Sequence, residues 1–130
     1  MIEVERVDYV RVPVDDIEQA KRFYGEVLGL PRNEHLNHED WVEYEAGNVT
    51  LAVMMPHTHE YEFTPLPPGT IALRVPDVAE ARAKLEAKGV QFMGETLDTG
   101  VCHMAFFRDP DGNELTLHRR YAPYSDGTNP

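Results

Sequence analysis

Six histidines and one cysteine are the side chains in this 130-residue sequence with the most obvious chemical potential. His118 ends the alternating run Glu114-Leu115-Thr116-Leu117-His118. An imidazole there could serve as a general base near neutral pH or orient a polar ligand. The competing reading is an inert histidine at a strand end. Cys102 and His103 are adjacent, so in a strand they point to opposite faces and cannot form a dyad with each other. His57 and His59 form an H-x-H pair in the proline-rich stretch PHTHEYEFTPLPPG, and His35 and His38 precede Trp41. Both spacings could chelate a cation, but solvated loop histidines are the weightier reading.

The elements that must position these groups show a duplicated pattern. In VDYVRVPV, Val10, Val12 and Val14 alternate with Tyr9, Arg11 and Pro13, the period of a strand with one packed face. Asp15 or Asp16 then caps a helix whose stripe is Ile17, Ala20, Tyr24 and Val27/Leu28, ending at Gly29. Strands are expected at 40–44 and 48–54. The pattern restarts with a strand at 70–75, a helix capped by Asp77 with stripe Val78, Ala81 and Leu85, and Gly89. Further strands are expected at 90–93, 101–107 and 114–118, the last two joined by the turn Asp109-Pro110-Asp111-Gly112-Asn113. Asp16 and Asp77 lie 61 residues apart, whereas the Arg-Val-Pro triplets at Arg11 and Arg74 lie 63 apart. A shift of two preserves the packed face, because two is the strand period.

This predicts one α+β domain over residues 1–121. Its first module spans about 5–56, a linker covers about 57–69, the second module spans about 70–121, and 122–130 form a flexible tail. One sheet face is buried beneath the helices, by Val10, Val12, Val14, Ile71, Leu73, Val75, Leu115 and Leu117. The alternates Tyr9, Arg11, Thr70, Ala72, Glu114, Thr116 and His118 are left to line a trough.

Twelve Lys and Arg against 23 Asp and Glu give a net charge of −11. Such a surface repels phosphate backbones and anionic membranes, so neither nucleic acid nor a membrane is an expected partner. No apolar run approaches the roughly 20 residues of a membrane helix. The N-terminus lacks the pattern of a signal peptide, and the lone Cys102 allows no intrachain disulfide. A cytoplasmic location is expected.

VDYVRVPVDDIEQAKRFYGEVLGL, GTIALRVPDVAEARAKLEAKGV and FFRDPDGNELTL, in this order and spacing, resemble the vicinal oxygen chelate superfamily of glyoxalases, bleomycin-resistance proteins and dioxygenases. The resemblance implies two βαβββ modules forming a curved mixed sheet around a central cup, with helices outside, often as a homodimer. In the family's metalloenzymes four strand positions carry His, Glu or Gln ligands to one divalent metal. Those positions here are Tyr9, Ala52, Thr70 and Thr116. Alanine cannot ligate, and threonine and tyrosine are poor ligands for Zn²⁺, Ni²⁺ or Mn²⁺. No cofactor is therefore expected, and a divalent metal only at a non-standard site. The resemblance also turns Cys102, Met104 and Phe106 toward the cup, where Cys102 and His118 would be a possible nucleophile–base pair. A small buried apolar role for Cys102 is the alternative.

Two functions follow as expectations. The first is a metal-free protein binding a small organic ligand through Tyr9, Arg11, Trp41, Ala52, Thr70, Ala72, Met104, Phe106, Thr116 and His118, with Glu43 as a further polar handle. The second is a lyase, isomerase or dioxygenase-type enzyme. It would use a relocated metal or metal-free acid–base chemistry at His118, Tyr9 and Cys102.

Overall fold

The computed structural model describes residues 1–35, 38–56 and 62–130. Among the described residues the fold is α+β, with two helices and two mixed sheets. The chain divides into two compact units, Met1–Leu66 with Pro110–Asn113, and Pro67–Asp109 with Glu114–Pro130.

In the first unit β1 (Tyr9–Pro13), β2 (Trp41–Glu45) and β3 (Thr50–Met54) form a sheet of order β1-β3-β2. β1 runs parallel to β3, and β2 antiparallel to it. The expected strands at 40–44 and 48–54 are thus present with shifted ends. A further strand is reduced to the bridge between Arg32 and Tyr44, flanked by Asn33 N–H to Glu43 O at 2.9 Å and Glu45 N–H to Pro31 O at 2.8 Å.

Helix α1 (Ile17–Lys21) is capped by Asp16, whose carboxylate accepts from Gln19 N–H at 3.1 Å. Asp15 instead donates its backbone N–H to Asp111 Oδ1 at 2.8 Å. The helix widens to π geometry over Arg22–Val27, and Leu28 N–H bonds to Phe23 O at 2.8 Å, five residues back. A regular stripe would bury Ile17, Ala20, Tyr24 and Val27/Leu28. The wider turn instead buries Phe23 with Ala20 and Tyr24 and leaves Ile17, Val27 and Leu28 half-buried. Gly25 lies against Tyr44, where a Cβ would sit 3.4 Å from the hydroxyl. That hydroxyl donates to Lys21 O at 3.4 Å, and the Tyr24 and Tyr44 rings meet at 6.2 Å. Burial pushes the Tyr44 phenol above its ordinary pKa.

The second unit has β4 (Ile71–Arg74), α2 (Val78–Ala87), β5 (Phe92–Asp98), β6 (Cys102–Arg108) and β7 (Glu114–Arg120), with sheet order β4-β7-β6-β5. β4 is parallel to β7, and the other neighbours are antiparallel. Asp77 caps α2 by accepting from Glu80 N–H at 2.9 Å. Val78 and Leu85 are buried from the helix, and Ile71, Ala105, Phe107, Leu115 and Leu117 from the sheet. β5 runs five residues beyond its expected end at Met93 because a bulge between Met93 and Leu97, with Gly94 at φ 71°, breaks the alternation. Arg82 holds this bulge, donating to Gly94 O at 3.0 Å and Thr96 Oγ1 at 3.1 Å.

Residues 122–130 contain a turn, with Tyr124 N–H to Thr128 O at 2.8 Å. Arg120 donates to Pro123 O at 2.7 Å and lies over the Tyr124 ring. Among the described residues no helix is long and apolar enough to cross a membrane.

Candidate functional site

The open face of the first sheet collects the alternates of its packed strands. The register sets Arg11 beside Ala52 and Ala52 beside Glu43, a row across all three strands. On one side of that row lie Tyr9, Thr50 and Glu45, and on the other Pro13, Met54 and Trp41. Ala52 and Met54 are buried, Trp41 and Glu43 half-buried, and Tyr9 is 50% exposed.

Trp41 ties this face together. Its indole meets the Tyr9 ring edge-on at 5.6 Å and 80°. Its Nε1–H donates to Glu43 Oε2 at 2.9 Å, while Asn33 Nδ2 approaches Glu43 Oε1 at 3.4 Å. A carboxylate can accept about four hydrogen bonds, so the fixed Glu43 keeps acceptor capacity for a ligand. A hollow of about 290 Å³ opens beside it, lined by Arg6, Asp8, Tyr9, Glu43 and Thr50. Arg6 lies 3.5 Å from Asp8, and Thr50 donates to Glu45 at 2.9 Å.

Tyr9, Arg11, Trp41 and Ala52, expected at the site, therefore share this face. Sequence reasoning missed the roles of Thr50 and Asn33 and noted Glu43 only as a handle. The Trp41-x-Glu43 spacing, two residues apart on one strand, was the available signal.

The open face of the second sheet holds the remaining candidates in two rows. Ala72, Thr116, Phe106 and Met93 form one, and Arg74, His118, Met104 and Leu97 the other. Thr116 is buried, whereas His118, Met104 and Phe106 are half-buried and Ala72 is exposed. Cys102 lies opposite Arg120, two pairs along from the His118–Met104 pair on the same face, so Cys102 and His118 are diagonal neighbours. Diagonal positions sit about 7–8 Å apart, a span that long side chains can bridge. The buried Cys102 thiol is instead 3.0 Å from Thr99 Oγ1. Thr70 precedes β4, is exposed, and donates its hydroxyl to Pro67 O at 2.9 Å.

Tyr9, Ala52, Thr70 and Thr116 offer no imidazole and no carboxylate, and the Thr70 hydroxyl is engaged in its own turn. These residues do not fit the divalent metal that the resemblance would place there. Among the described residues no three His, Cys, Asp or Glu side chains cluster as metal ligands. His57 and His59 lie outside the described residues. His38 borders a second hollow of about 630 Å³ with Ile17, Glu18, Lys21, Glu39 and Asp40, and its Nδ1 accepts from Asp40 N–H at 3.1 Å. His35 is exposed.

A separate titratable cluster sits at the β5–β6 end. Tyr121 donates to Asp98 Oδ1 at 2.6 Å, Gly100 N–H to the same oxygen at 2.9 Å, and His103 Nε2 lies 3.5 Å from Oδ2. The phenol bond, then the amide, holds the Asp98 carboxyl below its ordinary pKa, and Asp98 in turn raises that of Tyr121. The Asp98 contribution to stability is therefore present above the usual carboxylate range and lost as pH falls through its lowered value. The Tyr121 contribution is present below its ordinary pKa and lost as pH rises through the raised one. In Tyr121→Phe, a carbon-detected NMR titration should show Asp98 moving up toward an ordinary carboxylate. An unmoved Asp98 would mean the phenol is not the cause.

Comparison with known proteins agrees with this architecture. The family model for the Glyoxalase/Bleomycin resistance protein/Dioxygenase superfamily matches residues 6–117. A Vibrio parahaemolyticus protein named "Probable lactoylglutathione lyase" is 27% identical over 122 residues, covering 86% of this chain and 88% of that protein. The crystal structure of TnmS3, an antibiotic binding protein from Streptomyces sp. CB03234, aligns with a TM-score of 0.74 and 28% identity over 92% of this chain and 99% of that one. A superfamily member from Sphaerobacter thermophilus aligns with a TM-score of 0.71 and 27% identity over 88% and 97%.

Proposed function

Because the chain belongs to the glyoxalase/bleomycin resistance protein/dioxygenase superfamily, we propose that it keeps the family's fold for binding a small organic molecule without the family's usual metal. The observation that carries this reading is Ala52. A methyl group stands at a position where the family's metalloenzymes place a ligand, buried in the row between Arg11 and Glu43 and flanked by the Tyr9–Trp41 pair. Aromatic surface with a few fixed polar groups is the usual make-up of a site for organic ligands. The antibiotic-binding description of TnmS3 supports the same reading. On the second sheet, the half-buried Met104, Phe106 and His118 are the side chains available to a ligand, while Thr116 in the Phe106 row is buried. Cytoplasmic location and homodimeric assembly belong to the proposal; the buried thiol of Cys102 requires no oxidising compartment.

Trp41 is the sole tryptophan, so its fluorescence reports on the first sheet's open face. A panel of aromatic compounds titrated in the presence of EDTA should contain ligands that shift Trp41 emission saturably. If emission responds only when a divalent metal is supplied, the metal-free reading is wrong.

The "lactoylglutathione lyase" name of the Vibrio protein favours a second reading, an enzyme using metal-free acid–base chemistry. His118, between Arg74 and Met104 in its row, is the candidate base. This reading expects any activity found to fall in His118→Ala. Activity retained there and in Cys102→Ala would remove both named residues.

A further inference from the structure

We infer that the first sheet's open face selects an organic cation, a protonated amine carried on an aromatic body; this rests on the ligand-binding reading above. Glu43 is the group that recognises it. Its carboxylate is half-buried and held by the Trp41 indole N–H at 2.9 Å, with Asn33 at 3.4 Å, so it needs little ordering when a ligand arrives. Its remaining acceptor sites can take ammonium hydrogens, and charge-assisted bonds of this kind are the strong ones.

The surroundings agree in sign and shape. The hollow of about 290 Å³ beside Glu43 carries Asp8 and Glu43 against Arg6, and Arg6 lies 3.5 Å from Asp8. Glu45 adds a further negative charge on the same face, and Arg11 a positive one on the far side of Ala52. Across two strand spacings of about 4.8 Å, Arg11 and Glu43 are separated by roughly 10 Å of backbone. The half-exposed Tyr9 ring, set edge-on to Trp41, offers a π surface next to that carboxylate. The net charge of −11 favours the approach of cations to the whole molecule.

Calorimetry on the full chain with three matched probes tests the inference: 1-naphthylmethylammonium, 1-naphthylmethanol and 1-naphthylacetate. The ammonium should bind at least about 10-fold more tightly than the alcohol, and the acetate most weakly. Glu43→Gln keeps an acceptor for Trp41 and should bring the ammonium within about 2-fold of the alcohol. Glu95→Gln, an equal charge change on exposed β5, should leave the preference intact. If Glu43→Gln does not fold, the single indole N–H resonance of the native chain gives the answer. The ammonium should move it and the acetate should not. Equal binding of ammonium and alcohol, or tightest binding of the acetate, would overturn the cation inference while leaving the ligand-binding reading standing. No binding of any probe at millimolar concentration would overturn both.

Discussion

Asn113→Ala should lower the stability of the protein by about 2–4 kcal/mol, read as a shift in the urea midpoint with an unchanged slope. Asn113 is fully buried, yet it lies in the turn after β6. Its Nδ2 donates to Pro13 O at 2.7 Å, and its Oδ1 accepts from Leu66 N–H at 2.7 Å. Alanine would leave both main-chain groups without this partner; an orphaned buried group costs about 1–3 kcal/mol, and these two, being part-buried, fall toward the lower part of that range. The lower end of the summed range applies if water enters. Asp111 and Gly112 add to the anchor, through the Asp15 N–H bond at 2.8 Å and a close approach to Pro65 that a Cβ at Gly112 would meet at 3.5 Å. Against a typical total of about 5–15 kcal/mol, this loss is large. A change below about 0.5 kcal/mol would show that Asn113 does not carry these bonds in solution.

Trp41→Ala should weaken binding of the tightest naphthyl probe by about 10-fold or more, the effect expected of a central aromatic anchor. Two losses combine. The Tyr9 ring loses its edge-on partner, and Glu43 loses the N–H that fixes it. Trp41→Phe separates them, since it keeps an aromatic wall without the indole donor. An intermediate loss in Trp41→Phe is expected, smaller than in Trp41→Ala. Unchanged affinity in Trp41→Ala would remove the first sheet's open face from the binding site.

Much of the fold was legible in local chemistry. Asp16 and Asp77 cap the helices as their positions suggested, and alternation separates buried Val12 from exposed Tyr9 and Arg11 in β1, whereas in β7 Thr116 is buried together with Leu115 and Leu117. The parts that were not legible involve insertions into a regular period. The π-helical turn adds a residue per turn through Phe23, and it packs Tyr24 and Gly25 against Tyr44, a contact distant in sequence. The bulge at Gly94 hides the second half of β5 behind the polar run Gly94-Glu95-Thr96, and it is secured by Arg82 from another element.

The candidate face was legible by residue type but not by partnership. Tyr9, Arg11, Trp41 and Ala52 could be assigned as trough residues, but their mutual placement needed the β1-β3-β2 register. The Trp41–Glu43 bond depends on rotamers that alternation does not specify. Likewise, the adjacency of Cys102 and His103 said nothing of Thr99, which engages the thiol across the β5–β6 turn.

We propose that direct binding of an organic molecule replaces metal ligation in this chain, whose Tyr9, Ala52, Thr70 and Thr116 are poor metal ligands. The most direct test is a calorimetric titration of the EDTA-treated, desalted protein with Zn²⁺, Ni²⁺ and Mn²⁺, with each mixture then assayed on an α-hydroxythioester. The account predicts no stoichiometric site with a Kd below about 10 µM, equivalent to roughly 7 kcal/mol, and no metal-dependent turnover. One tight equivalent of metal together with turnover would contradict it.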